Sequence, residues 1–304
     1  MAQPADRSHI LAESRNPRTM NLHELTVAEL VDTFQREDAY VLDAVRSAAP
    51  ALARFLADTE PRFLAGGRLI YFGAGTSGRL GVLDASEAPP TFCLEEGRII
   101  GIIAGGDAAL RKSSEGREDE PDGAHAALAQ LHLSANDTIL GIAAGGTTPY
   151  VLGAFPFAKS LSHPPLTAML SCSPIPSPNA CDHLIIAPTG PEVLTGSTRL
   201  KAATATKLIL NTISTTLMVR SGRVYENLMV DVRASNAKLR DRAARIVSQL
   251  TGLSRDQSFS LLDRAGGSVK TAVLMSRTGL DREDAEARLL RVAGKLSDAL
   301  GVLG

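Results

Sequence analysis

RLIYFGAGTSGR, residues 68–79, decides the architecture. Four consecutive apolar residues, Leu69 to Phe72, run straight into Gly73-Ala74-Gly75-Thr76-Ser77-Gly78. Unbroken rather than alternating hydrophobicity marks a strand buried on both faces, and the Gly/Ser/Thr cluster after it marks a strand-to-helix turn. The same plan recurs in RIIGIIAGG (98–106), DTILGIAAGG (137–146), LTAMLS (166–171) and HLIIAP (183–188), each ending in Gly, Ser or Pro. Five such runs predict an α/β fold: a parallel five-stranded sheet with helices on both faces. The segments between the runs are long enough for right-handed crossovers. Ligands of such sheets sit beyond the carboxyl ends of the strands. The Gly/Ser/Thr clusters fall at those ends.

Outward from the sheet, the period changes to that of helices. Apolar residues recur at Val27, Leu30, Val31 and Phe34, and again from Val41 to Leu56. Thr26 followed by Glu29 reads as a capping box. A long apolar helix is expected from Ser197 to about Arg220. After about Gln249 three helical patterns follow, with Ser254 and Asp281 as N-caps. The domain boundary is therefore drawn at 248/249: residues 1–248 form the sheet domain with its N-terminal helices, and 249–304 a small helical C-terminal domain. The first twenty residues look irregular, although LAESRNPRT (11–19) is too specific in composition for a tag.

Composition narrows the function. Lys+Arg 32 against Asp+Glu 33 leaves a net charge of −1, so no basic surface for nucleic acid is expected. Aromatics make up 4% with no Trp, which argues against base-stacking platforms. The three cysteines, Cys93, Cys172 and Cys181, lack a C-x-x-C spacing, so neither a disulfide framework nor a zinc site is supported. The six histidines are scattered without ligand spacing, so no metal is expected. MAQPADRSHI has no apolar signal region and no run spans a membrane, making a cytoplasmic location the expectation.

Three turns and two carboxylates carry the candidate chemistry. Thr76 and Ser77 open a helix where free amides and two hydroxyls suit a phosphate. Taken alone, such a turn serves a phosphate or a plain tight turn equally well. It is neither a dinucleotide fingerprint nor a Walker motif. Gly145-Gly146-Thr147-Thr148-Pro149 repeats the context after the third strand, with Thr148 as its candidate donor. GPEVLTGSTRLK (190–201) offers Glu192, Ser197 and Lys201, or else simply caps a helix. Glu87, in LGVLDASEAPP, precedes a Pro pair expected to end its helix, where partial desolvation would suit an acid or base. Glu118, in SSEGREDEPDG, reads from composition alone as part of a solvated acidic loop.

GRLIYFGAGTSGRLGVLDASEAPPTF (67–92), the IAGG-to-EGRED stretch, GPEVLTGSTRLKAATATK (190–207) and NLMVDVRASNAKL (227–239) together resemble the N-acetylmuramic acid 6-phosphate etherase family. The likeness runs from about Glu13 into the C-terminal helices. The paired turns are similar to those of the wider sugar-isomerase (SIS) group of phosphosugar binders. The resemblance implies a flavodoxin-like sheet, a homodimer, a phosphosugar substrate, and no metal, cofactor or nucleotide. It implies cleavage of the lactyl ether of N-acetylmuramate 6-phosphate to N-acetylglucosamine 6-phosphate and D-lactate, in cell-wall sugar recycling. It makes Glu87 the proton donor to departing lactate and Glu118 the second active-site residue, the C2 base. The second turn departs from the family's pattern: where many etherases read Ser-Gly-Arg-Thr, this chain has Gly145-Gly146-Thr147-Thr148, and Thr148 alone carries over cleanly. A non-catalytic phosphosugar sensor similar to glucokinase regulatory protein would keep the turns and need neither glutamate. A sugar-phosphate isomerase would interconvert sugars without releasing lactate.

Overall fold

All five apolar runs are strands of one sheet: β1 Leu69–Gly73, β2 Ile99–Ile103, β3 Thr138–Ile142, β4 Leu166–Ser171 and β5 His183–Ile186. Every pairing is parallel, and the order is β2-β1-β3-β4-β5. This is the flavodoxin-like winding. The chain leaves β1 for β2 on one side and returns past β1 to β3, so the winding reverses between β1 and β3. Gly73 lies in register with Ile142 there, which sets the two strand ends side by side. The computed structural model describes residues 10–112, 114–232 and 237–301.

Two compact units divide the chain. The first holds residues up to 86 and 97–214; the second holds 87–96 and everything from 215 on. In the first, the sheet is flanked by α1 (Val27–Leu64), α2 (Gly75–Phe92), the short α3 (His125–Gln130), α4 (Pro149–Leu152) and α5 (Ala154–Lys159), and α6 (Lys201–Arg220). The division cuts α2 and α6. Ile70, Phe72, Ile139 and Met169 pack with Val151, Phe155 and Leu128 into a closed apolar layer, with Phe72 and Phe155 edge to face at 5.8 Å. Burial of this kind contributes ~25 cal/mol per Å² of apolar surface, and it explains why these runs carry no alternation.

The capping box at Thr26 forms as expected. Its hydroxyl accepts the Glu29 N–H at 3.4 Å, while the Glu29 carboxylate accepts the Thr26 N–H at 2.8 Å. Two helices expected from the sequence are instead one, α1, of 38 residues. Its inward stripe also differs at the start. Val27 and Val31 are exposed, whereas Thr33 and Glu37 are buried, followed by Val41, Ala44, Ala48, Leu52 and Phe55. The reason is electrostatic: Glu37 is held inside by Arg18 and Lys201. The Pro pair likewise fails to end α2, which continues through Pro89 and Pro90 to Phe92. Two prolines remove two intrahelical donors but leave the dihedrals of the last turn attainable.

The second unit is helical. α7 (Ala237–Thr251), α8 (Arg255–Arg264), α9 (Val269–Thr278), α10 (Arg282–Arg291) and α11 (Leu296–Gly301) surround Val247, Leu262, Ala272, Val273 and Ala285. Ser254 caps α8 through the Gln257 N–H and Asp281 caps α10 through the Asp284 N–H, as the sequence predicts. A two-stranded hairpin, β6 (Val224–Tyr225) with β7 (Leu228–Met229), was not foreseen because its strands are two residues each. The boundary drawn at 248/249 falls inside α7.

Candidate functional site

The carboxyl ends of β1 and β3 form the candidate site, and their sequences explain their shape. β1 feeds α2 with only Ala74 between them. That tight passage needs Gly78: a Cβ there would lie 2.5 Å from the Gly73 carbonyl oxygen and 2.7 Å from Ile103 Cγ1. Close packing leaves Gly75, Thr76 and Ser77 as the first residues of an 18-residue helix. Among the described residues their N–H groups meet no backbone acceptor. The amide end of a helix carries partial positive charge, which suits an anion.

Beside it, β3 runs through Ala143 and Ala144 into Gly145, Gly146, Thr147 and Thr148. The turn closes with the Gly146 N–H donating to Ala143 O at 3.0 Å. Gly146 has φ +78°, and a Cβ on it would come within 2.6 Å of Ile175 Cγ2, so both backbone and packing demand glycine. The side chains of Thr76, Ser77, Thr147 and Thr148 are all half-buried. Thr148 leaves its hydroxyl unused as a helix cap. Four hydroxyls at adjacent strand ends, unclaimed by the described part of the protein, are available to a ligand.

Glu118 joins this edge. Its carbonyl oxygen accepts the Tyr150 N–H at 3.0 Å, which fixes the Glu118 loop against the start of α4, two residues past Thr148. Tyr150 is itself 3% exposed and anchors the contact. Glu118 is half-buried there, while Gly116, Arg117, Asp119, Pro121 and Asp122 of the same acidic loop are exposed, as composition led one to expect. Glu87 belongs to the second unit, on α2, and is exposed; the desolvation expected of it is absent from the single chain.

The third stretch is different. Glu192 and Lys201 are both 0% exposed. The Glu192 carboxylate accepts the N–H of Lys201 at 3.0 Å and of Ala202 at 2.9 Å, so it caps α6 from the preceding loop. Burial pushes the Glu192 carboxyl above its ordinary range, opposed by those two amides. Lys201 Nζ donates to Glu37 Oε2 at 2.8 Å. Glu37, 3% exposed, also accepts from Asn16 Nδ2 at 2.8 Å and from the Arg18 guanidinium. Hydrogen bonding by Arg18 leads the effects that hold its carboxyl down at about 2. Thus Glu192 and Lys201 are engaged in the interior, while Ser197, half-buried in the loop ahead of α6, makes no side-chain bond to the described residues.

Two residues at this end escaped the sequence reading. Ser173 follows β4, is 1% exposed, and its hydroxyl is buried without a partner among the described residues. The neighbouring Cys172 N–H donates to Ala144 O at 2.9 Å, so this segment lies against the second turn. The signal, a Ser-Cys-Ser run leaving a strand, was present but short. Glu37 was missed because an acid in an amphipathic helix is ordinarily solvated. Among the described residues no group of His, Cys, Asp or Glu is arranged to hold a metal ion, and no helix is long and apolar enough to cross a membrane. A pocket of about 590 Å³ in the second unit, lined by Pro90, Leu94, Glu96 and Arg242 among others, includes none of the expected site residues.

If Ser77 grips a substrate's phosphate, Ser77→Ala should raise KM with little loss of kcat, because a contact present in ground and transition states alike is lost. Steady-state kinetics check this; a pure kcat defect would move Ser77 from binding to chemistry.

The model of the glucokinase regulatory protein N-terminal SIS domain matches residues 49–159. An N-acetylmuramic acid 6-phosphate etherase of Synechococcus sp. (strain CC9605) is 50% identical over 304 residues, 99% of this chain and 96% of that protein. One of Serratia proteamaculans (strain 568) is 50% identical over 293 residues, 96% of this chain and 98% of that protein. Among solved structures, E. coli CFT073 c3406 in complex with A5P has a TM-score of 0.47 and 16% identity, over 67% of this chain and 97% of that one.

Proposed function

From a chain that belongs to the N-acetylmuramic acid 6-phosphate etherase family, we propose an enzyme that cleaves the D-lactyl ether of N-acetylmuramic acid 6-phosphate, releasing D-lactate and N-acetylglucosamine 6-phosphate. The observation that carries this reading is half-identity to etherases along nearly the full length of both chains. The two hydroxyl-bearing turns at the β1/β3 switch support it, because they suit the phosphate that the substrate must carry. The match to the glucokinase regulatory protein domain, on which the sensor alternative leans, covers residues 49–159.

The reaction is an elimination followed by hydration, which makes the enzyme a carbon–oxygen lyase. In the open-chain sugar the C2 proton is α to the C1 aldehyde, so a carboxylate can remove it. Glu118 takes that proton. The freed electron pair is held as the enolate of the C1 carbonyl, which then collapses to form the C2–C3 double bond as the C3–oxygen bond breaks. Glu87 delivers a proton to the departing oxygen, and lactate leaves. Water then adds across the double bond, hydroxyl to C3 and hydrogen to C2. No redox partner is needed. Each general acid or base is worth ~10²–10⁴-fold in rate. Thr76, Ser77 and Thr148 hold the phosphate. Ser197 contributes from the loop before α6, while Glu192 and Lys201 act by shaping that loop rather than by reaching the sugar. The chain works as a homodimer in the cytoplasm.

Lactate release from N-acetylmuramic acid 6-phosphate by the purified protein tests the reading. Turnover should survive exhaustive chelation with EDTA, since the described residues offer no group of His, Cys, Asp or Glu arranged to hold a metal ion. Binding of the phosphosugar without lactate release would favour a sensor, and interconversion of sugar phosphates an isomerase.

A further inference from the structure

A pocket of about 300 Å³ opens directly beside the second turn, lined by Ile10, Gly145, Thr147, Pro174, Ile175 and Pro178 among others. Such a volume is at the lower end for small-molecule sites. Its polar groups come from the turn and from Ser177, and no described residue that lines it is charged. The rest is proline and aliphatic surface. The turn's departure from the family's pattern falls here: at 145 the chain has no side chain, and at 147 a threonine stands where many etherases carry a cation.

We infer that this pocket takes the neutral acyl arm on the sugar's C2 nitrogen, and that Gly145 and Ile175 set its size. The inference rests on the phosphosugar reading of the two turns and deepens it. Charge decides between the two short arms of the substrate. The lactyl arm ends in a carboxylate, and placing an unpaired anion in an uncharged apolar pocket is strongly unfavourable. The acetamido arm ends in a methyl group, which gains from burial. Its amide needs the few polar groups that the turn supplies. Gly145 is the gate. A Cβ there meets only Ile10 Cγ2, at 3.5 Å, so a larger residue can be accommodated while it occupies space against a lining residue. Ile175 forms the opposite limit, packed on Gly146.

Binding reads the pocket without turnover. Titration calorimetry should show N-acetylglucosamine 6-phosphate binding more tightly than glucose 6-phosphate. Gly145→Val should narrow that preference by about tenfold, the scale of one methylene's worth of space in an apolar pocket. Ile175→Ala should shift preference by a similar factor toward N-butyrylglucosamine 6-phosphate. Thermal melts of both variants establish that the fold survives, and Ile175→Ala keeps the test open if Gly145→Val does not fold. Equal losses for both sugars in Gly145→Val, or an unaltered acyl preference in Ile175→Ala, would overturn the inference. If the acyl preferences behave as expected but no lactate is released from N-acetylmuramic acid 6-phosphate, the etherase reading fails and the pocket stands. Lactate release with no acyl preference leaves the etherase and removes the pocket.

Discussion

In heavy water, the Glu87→Gln variant should exchange the C2 proton of bound N-acetylmuramic acid 6-phosphate for deuterium while releasing no lactate. Glu118→Gln should show neither exchange nor release. The difference follows from the two roles. Glutamine keeps the volume and a hydrogen-bonding group but can neither take nor deliver a proton. Without the acid, the C2 proton still comes and goes through the enolate while the C3–oxygen bond stays intact. Without the base, nothing starts. Each substitution should lower turnover by ~10²–10⁴-fold. Mass spectrometry of recovered substrate and a lactate assay make the measurement. Exchange in the Glu118 variant and none in the Glu87 variant would invert the assignment, and full activity in either would remove that residue from the chemistry.

The Glu37 cluster predicts the largest loss of stability. Lys201 is 0% exposed and Glu37 3%, so removing one partner leaves a charge stranded in the interior. Glu37→Ala should destabilise the protein by about 3–5 kcal/mol, whereas Glu37→Leu with Lys201→Met should recover much of that loss. Urea unfolding of the single and double variants reads both. A single-variant loss below about 1 kcal/mol would mean that the pair is no better than a surface bridge. The pH dependence has a definite sign. With its folded pKa depressed to about 2, Glu37 contributes stability that is present above its unfolded value near 4.5 and fades as pH falls toward 2. The wild type should therefore lose stability across that window more steeply than the double variant.

This cluster also explains where sequence reading stopped. Periodicity in α1 suggested that Val27 and Val31 face inward, yet the start of the helix buries Glu37 and leaves the valines exposed. Hydrophobic pattern assumes that acids stay in water. Asn16, Arg18 and Lys201 overturn that assumption together, and they lie 21, 19 and 164 residues from Glu37 in the chain. Lys201 and Glu192 looked like ligand-binding groups for the same reason: charges near a helix start attract that reading until their partners are seen.

What the sequence determined by itself was local. Five unbroken apolar runs of strand length, bounded by turn residues, specified five strands, of which β1, β3 and β4 are buried throughout and the edge strands β2 and β5 in part. Gly, Ser and Thr after the first and third runs specified the turns into α2 and α4, because few other residues fit where a strand passes so closely into a helix. The caps at Thr26, Ser254 and Asp281 were legible because they depend on residues three positions apart. The tertiary structure decided what is non-local. It set the β2-β1-β3 order that puts the first and second turns side by side. It brought Glu118 to the second turn through one backbone bond to Tyr150. It turned Glu192 and Lys201 inward, and it opened a pocket between Gly145 and Ile175. Contacts between distant segments depend on which surfaces meet when the sheet closes, and one-dimensional spacing carries no record of that.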